Sequence, residues 1–185
     1  MARVRPYECK DQPAVQGVCI ATGPANANKP EVRARLLACF CDYYVEKEPE
    51  NCFVLADDDA NAVGYILCAE NFGRYYTAFC KEYVGRARQG GLVNGISAWF
   101  TTLPQHFYAK KYPAHLHIDI LPAYQRQGWG TVLMDTLTNH LRAKKIPAVM
   151  LVVGAGNKKG ISFYKKYGFV QVKNIFGFVA MALKL

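Results

Sequence analysis

Hydrophobic positions change their period several times along the chain, and the changes outline its elements. "RVRPY" (3–7) reads as a short strand, with Pro6 suggesting a sheet edge. "DQPAVQGVCIATG" reads as a helix, with Asp11 as N-cap, Pro13 in the first turn and Gly23 as the stop. "KPEVRARLLACFCDYYVEKEP" predicts a second helix, opened by Pro30 and closed before Pro49. Two β-prone runs, Cys52–Ala56 and Val63–Ala69, flank an Asp/Asn-rich loop and predict a hairpin. Residues 71–113 predict a helix ("FGRYYTAFCKEYVGRARQ"), a loop ("GGLVNG") and a helix interrupted by Pro104. The aromatic content of this stretch, including Tyr75, Tyr76, Trp99, Phe100, Phe107 and Tyr108, suits either core packing or the wall of an apolar ligand site.

The second half is clearer. "HLHIDILP" (His115–Pro122) is a strand. "TVLMDTLTNHLRAKKIP" carries a helical stripe of Trp129, Leu133, Leu137 and Leu141 that ends near Pro147. "AVMLVVG" (Ala148–Gly154) is near-continuously apolar, as expected of a strand covered on both faces. "NKKGISFYKKYG" is a shorter helix stopped at Gly168, and "FVQVKNIFGFVAMALKL" supplies one or two final strands. Strand, helix, strand, helix is a βαβα unit, so its strands should be parallel with a right-handed crossover.

The chain has 185 residues, 51% hydrophobic and 20% charged, which fits one globular domain over 1–185 and excludes a disordered polymer. No apolar run approaches the ~18 residues that span a bilayer, and the N-terminus lacks an apolar leader core, so no membrane partner and a cytoplasmic location are expected. Seven cysteines, an odd number without a C-x-x-C pair, read as reduced and mainly buried. A Cys39/Cys41 redox or metal pair is disfavoured, because positions i and i+2 of a helix do not face each other.

Lys and Arg outnumber Asp and Glu 23 to 14, a net +9, so an anionic partner is expected. The basic pairs are short and scattered, and three of the four (Lys144-Lys145, Lys158-Lys159, Lys165-Lys166) follow residue 130. That distribution argues against nucleic acid. It directs attention to "QRQGWG" (Gln125–Gly130), where a glycine turn opens a helix. Helix N-termini present unpaired N–H groups and a positive dipole end, and glycines let a phosphate approach the backbone. Gln125, Arg126 and Gln127 add donors. Neither G-x-G-x-x-G nor G-x-x-x-x-G-K-[ST] occurs, so the turn matches neither common nucleotide loop.

"ILPAYQRQGWGTVLMDTL" followed by "NKKGISFYKKYGF" resembles the GNAT superfamily of acetyl-CoA-dependent N-acetyltransferases. The family's loop, [QR]-x-x-G-x-[GA], is matched by Gln125, Gly128 and Gly130, and a later F-Y-x-x-x-G-F by Phe163, Tyr164, Gly168 and Phe169. The segment 71–113 departs from a minimal member as an aromatic-rich insertion. With "CFVLADDDANAVGYILCAEN" and "YPAHLHIDI" it is similar to the acetyltransferase-like domain attached to O-GlcNAcase enzymes, a group in which acetyl transfer itself is in doubt.

The resemblance implies an α/β fold with a central mixed sheet of about six to seven strands flanked by helices. It implies that acetyl-CoA is the cofactor and a small-molecule or peptide amine the acceptor. The backbone amides of Gln125, Arg126, Gln127, Gly128, Trp129, Gly130 and Thr131 would hold the pyrophosphate. Pantetheine would run beside Ile120 and Leu121, between parallel strands that splay apart, with Asn157 bonding its arm. The N–H of Ile120 would stabilise the oxyanion, and Tyr164 would protonate the leaving thiolate.

An amine acceptor must also lose a proton, since a lysine-like amine has a pKa of ~10.4. His115, His117 and Asp119 alternate along one strand face. Asp119 is the first candidate base, His117 the second, and Glu70 a third. The triplet could instead form a metal site or a merely polar strand face; no metal is expected, because the acetyltransferase reading needs none. Beside the enzyme stand two other readings, a non-catalytic acyl-CoA- or partner-binding module and a nucleic-acid-associated protein. A homodimer is left open.

Overall fold

The computed structural model describes residues 2–175 and 177–185. Seven strands form one mixed sheet: β1 (Arg3–Pro6), β2 (Phe53–Ala56), β3 (Ala62–Ala69), β4 (Ala114–Ile120), β5 (Ala148–Gly154), β6 (Val170–Ile175) and β7 (Phe178–Lys184). Their order is β1-β2-β3-β4-β5-β7-β6, antiparallel except for β4 and β5. β1 lies at an edge, where Pro6 needs no ladder partner on its outer side. The last apolar run forms two strands, separated by a turn at Gly177; Phe176 lies outside the described residues.

Helices cover both faces, which explains why β2 and β3 are apolar without alternation. Every residue of these two strands is buried. Tyr65, Leu67 and Ala69 of β3 enter the core under the N-terminal helices, while Ile66 and Cys68 enter the core under α8 (Trp129–Ala143) and α9 (Lys158–Tyr167). In α8 the expected stripe is observed: Leu133, Leu137 and Leu141 are fully buried, and Trp129 packs against the same core.

The first half departs from expectation in its breaks. α1 (Gln12–Thr22) begins after Asp11, but the Asp11 carboxylate does not cap it. It accepts instead from Arg5 at 2.6 and 2.8 Å and from the Glu8 N–H at 2.9 Å, because a charged partner outbids a helix amide. The expected second helix is two, α2 (Pro30–Phe40) and α3 (Asp42–Lys47), broken at Cys41 (φ −136°). The helix after β3 is α4 (Phe72–Ala78) and α5 (Val84–Arg88), joined by a π-helical turn over Phe79–Tyr83. "GGLVNG" is not all loop, since α6 (Leu92–Thr101) starts inside it. The stretch around Pro104 is interrupted as expected, the break falling at Thr102, between α6 and α7 (Leu103–Tyr108), so that Pro104 sits in the first turn of α7, where no N–H is required. Tyr75 is buried with Phe72, Phe79 and Tyr83, while Phe100 and Phe107 are exposed, so the aromatics divide between core and surface.

Five cysteines are buried and reduced, and Cys9 and Cys80 are exposed thiols. Burial pushes Cys39 up to about 11, so this thiol stays protonated and unreactive.

Candidate active site

The site begins where β4 and β5, the only parallel strand pair among the described residues, come apart. β4 and β5 are in register only at Ala114–Val149 and His115–Met150. Beyond that point β4 stays paired to β3 and β5 to β7, so a gap opens between them.

Ladder alternation fixes which backbone groups face the gap. The Leu121 N–H donates to Val63 O at 2.9 Å, making Leu121 a bonded position toward β3. Ile120, opposite Gly64, is therefore a non-bonded position, and its N–H and C=O point toward β5. On the other side the Ala155 N–H donates to Gly177 O at 2.8 Å. By the same alternation Val152, opposite Ala180, turns its backbone toward β4. The Ile120 carbonyl has a substitute for its missing strand partner: Gln125 Nε2 donates to it at 2.7 Å.

At the mouth of the gap lies a groove of about 480 Å³, lined among others by Asp119, Ile120, Arg126, Gly128, Asn157 and Tyr164. The chain enters it through a tight loop in which Arg126 (φ 61°) and Gly128 (φ 87°) are both left-handed. Glycine takes that conformation without strain, and Gly128 forms the N-cap of α8. Two residues later, a Cβ on Gly130 would stand 3.2 Å from the Phe163 ring, so glycine lets α8 and α9 close together at the groove. The N-termini of both helices point their positive ends at it.

Within the loop, not every expected donor is available. The Gln125 N–H is engaged by Pro122 O (3.2 Å) and the Thr131 N–H by Gly128 O (2.9 Å). The side chains of Gln125 and Gln127 bond Ile120 O and Ala123 O. As the first residues of α8, Trp129 and Gly130 have no intrahelical acceptor, so the open donors lie within 126–130. Asn157 caps α9, its Oδ1 accepting from the Gly160 N–H at 2.9 Å, which leaves Nδ2 free to face the groove. Lys159 adds a cation to the rim.

Of the three base candidates the structure brings one to the groove. Asp119 lines it and accepts from the buried Tyr65 hydroxyl at 2.8 Å. Burial pushes its carboxyl up to about 6, opposed by hydrogen bonds from Tyr65 and Thr22. His117 shares the face but packs edge-on against Phe40 (4.8 Å) and Tyr44, and burial lowers it to about 4. His115 is enclosed by Tyr44, Phe72 and Tyr75, and burial lowers it to about 3. Glu70 is drawn elsewhere. Ala69 pairs with His115, at the opposite end of β4 from Ile120, a separation of about 17 Å. There Glu70 is ion-paired with Lys144 and with Arg74 (2.7 Å), which hold its carboxyl below the usual range despite partial burial. Among the described residues, no three His, Cys, Asp or Glu side chains are grouped to hold a metal.

Tyr164 packs on Phe163 and Phe169, at 5.4 and 5.8 Å between ring centroids, and lines the groove. Burial, and then the Asp119 charge, push its phenol well above the ordinary tyrosine value. The groove has further members that sequence reasoning missed: Ile118, Tyr124, Lys159 and Phe163 in its lining, Tyr65 and Thr22 behind Asp119, and Val152 across the gap. Phe163 and Lys159 lay inside the motif and a basic pair already noted; nothing in the sequence marked Tyr65 or Val152.

A split parallel pair with a glycine-opened helix at its mouth suits an anionic cofactor with an extended arm, on a fold of mixed α/β architecture. The model of the acetyltransferase (GNAT) family matches residues 20–169, and the chain belongs to that family. It is an N-acetyltransferase with acetyl-CoA as cofactor. Solved structures agree on the fold. One of a protein called SsHAT is 26% identical with a TM-score of 0.88, covering 99% of this chain and 98% of that one. The PaiA N-acetyltransferase from Thermoplasma acidophilum, solved with coenzyme A, is 15% identical with a TM-score of 0.63, covering 100% and 99%. The ribosomal-protein-S18-alanine N-acetyltransferase from Escherichia coli is 17% identical with a TM-score of 0.58, covering 100% and 94%. No helix among the described residues is long and apolar enough to cross a membrane.

Proposed function

We propose that the chain transfers acetyl from acetyl-CoA directly to an amine, with Tyr164 as general acid and Asp119 as the proton acceptor. The observation that carries this is the convergence of Ile120, Asp119 and Tyr164 on one groove at the mouth of the β4–β5 gap. The residues fit the cofactor: open N–H groups within 126–130, two helix N-termini and the Arg126 and Lys159 cations suit a pyrophosphate, while the Ile120 N–H and the Val152 backbone face the gap, open to an extended amide-bearing arm. Bound acetyl-CoA supplies a thioester carbonyl that the amine attacks, with loss of the thiolate.

The Ile120 N–H would donate to the carbonyl oxygen as negative charge develops there. Asp119 would take the amine's proton, directly or through water. From a lysine-like amine that transfer is uphill by roughly 6 kcal/mol to Asp119 and roughly 9 kcal/mol to His117, which favours Asp119. Tyr164 would give its hydroxyl proton to the departing sulfur; its raised pKa keeps that proton in place until a strong base forms beside it.

Calorimetry with acetyl-CoA tests the site. The wild-type chain is expected to bind, and Gly128→Val to bind about tenfold or more weakly, because a side chain at φ 87° costs about 1–2 kcal/mol and stands where phosphate must approach. Failure of the wild type to bind at millimolar cofactor would remove the reading. Gln125 is a positioning residue here. Gln125→Ala should lower kcat about tenfold through the unpaired Ile120 carbonyl, with KM for acetyl-CoA little changed. Gln125→Arg keeps a donor and should restore most of the rate in steady-state assays; equal rates in all three proteins would exclude the role.

A further inference from the structure

The large exposed apolar side chains gather mostly on the segment that a minimal family member lacks. Leu92, Val93, Ile96, Phe100 and Phe107 are 60%, 78%, 51%, 55% and 71% exposed. The cause is visible in α6, which packs inward through its small residues, Gly95 and Ala98, and so turns its large ones outward. This reverses the usual amphipathic helix. Val93, Ile96, Phe100, Leu103 and Phe107 follow one another at alternating spacings of three and four across α6 and α7. Such spacing is that of a seam that pairs with another helix, carried here by α6 and continued by α7 beyond the break at Thr102. Beside it, Cys80, Val84 and Arg88 face Leu92, Ile96 and Trp99 across a groove of about 440 Å³. A groove accepts protruding side chains, which a helix presents and a flat bilayer surface does not.

Charge selects the kind of helix. Residues 83–118 contain no Asp or Glu. Arg88 borders the groove, and Lys110 and Lys111 follow Phe107 within a turn. Among the described residues none of the three is ion-paired, although Lys111 lies over the Tyr112 ring. A second copy would bring the same basic rim from a chain of net charge +9. We propose that the α6–α7 seam and its groove dock an amphipathic helix of a partner protein whose apolar stripe is flanked by Glu and Asp. The dock lies outside the acetyl-transfer groove and does not depend on how that groove is read.

Two synthetic helices with the same leucine seam, one flanked by Glu and one by Lys, test this by fluorescence anisotropy with the full chain. The acidic peptide should bind at least tenfold more tightly than the basic one, and added salt should narrow the difference. Ile96→Glu and Phe100→Glu, both at exposed positions, should each weaken the acidic peptide about tenfold or more without changing the melting temperature or acetyl-CoA binding. Indistinguishable peptides, or no binding of either, would overturn the proposal. So would a dimer in sedimentation that Phe100→Glu dissociates, which assigns the face to a second copy. Capture by phosphatidylserine vesicles in place of the acidic peptide would overturn it as well.

Discussion

Tyr164→Phe is expected to slow acetyl transfer by about 10²- to 10³-fold while leaving acetyl-CoA affinity within a few-fold. The substitution removes one oxygen and keeps the ring that packs on Phe163 and Phe169, so the fold has no reason to change. What is lost is a proton source next to a thiolate that must otherwise leave unprotonated or wait for water. The hydroxyl is kept protonated by burial and by the nearby Asp119 carboxylate, so its contribution should persist across the physiological pH range. Thiol release across an amine panel, measured beside calorimetric binding, checks both halves of the expectation. Equal rates in the two proteins would take Tyr164 out of the chemistry and leave the binding site standing.

Asp119→Asn should have two opposite effects. Transfer should fall by about 10²-fold, because the amide cannot take a proton. Stability should rise. The carboxyl has its pKa raised from 3.8 to about 6 in the folded chain, so between those values the folded state holds more protons than the unfolded one. Wild-type stability therefore falls as pH climbs from about 4 to 6 and is flat above that, with a penalty on the order of 2–3 kcal/mol at neutral pH. The amide carries no charge and can still accept from Tyr65. Asp119→Asn should accordingly melt several degrees higher at pH 7.5, with the gap closing toward pH 4. A variant that melts lower at neutral pH would mean that the charge is held by more than Tyr65 and Thr22. In the wild type the same titration should appear as a loss of rate on acidification through about pH 6, the acid limb of a kcat/KM profile.

The parts of this protein that were legible in advance share one property: their signal is local. Leu133, Leu137 and Leu141 announce a buried helix face by spacing alone, and β5 announces its double burial by lacking polar residues. Gly128 and Gly130 mark a bare turn at a helix start, and Phe163, Tyr164 and Gly168 lie close enough together to be read as one motif. The family and its cofactor followed from those two stretches. The break at Cys41 was not legible, because no Gly or Pro stands there, whereas the break at Thr102 was announced by Pro104 two residues on. Asp11 was placed correctly but given the wrong partner, since Arg5 reaches it only after β1 and α1 have folded together.

The site divides in the same way. By itself the sequence determined the strand–turn–helix order, the glycines that bare the loop, and the alternation that puts His115, His117 and Asp119 on one face. Tertiary structure decided which of those three meets the groove, that Glu70 is neutralised at the other end of β4, and that β4 and β5 part beyond His115. It also turned Gln125 from a presumed anion donor into the partner of the Ile120 carbonyl. The reason is that backbone conformation depends on near neighbours along the chain, whereas the direction of a free N–H and the titration of a carboxyl depend on what stands across a gap, and those residues are far away in sequence, 35 positions for the Ala114–Val149 and His115–Met150 pairs and 54 for the Asp119–Tyr65 pair.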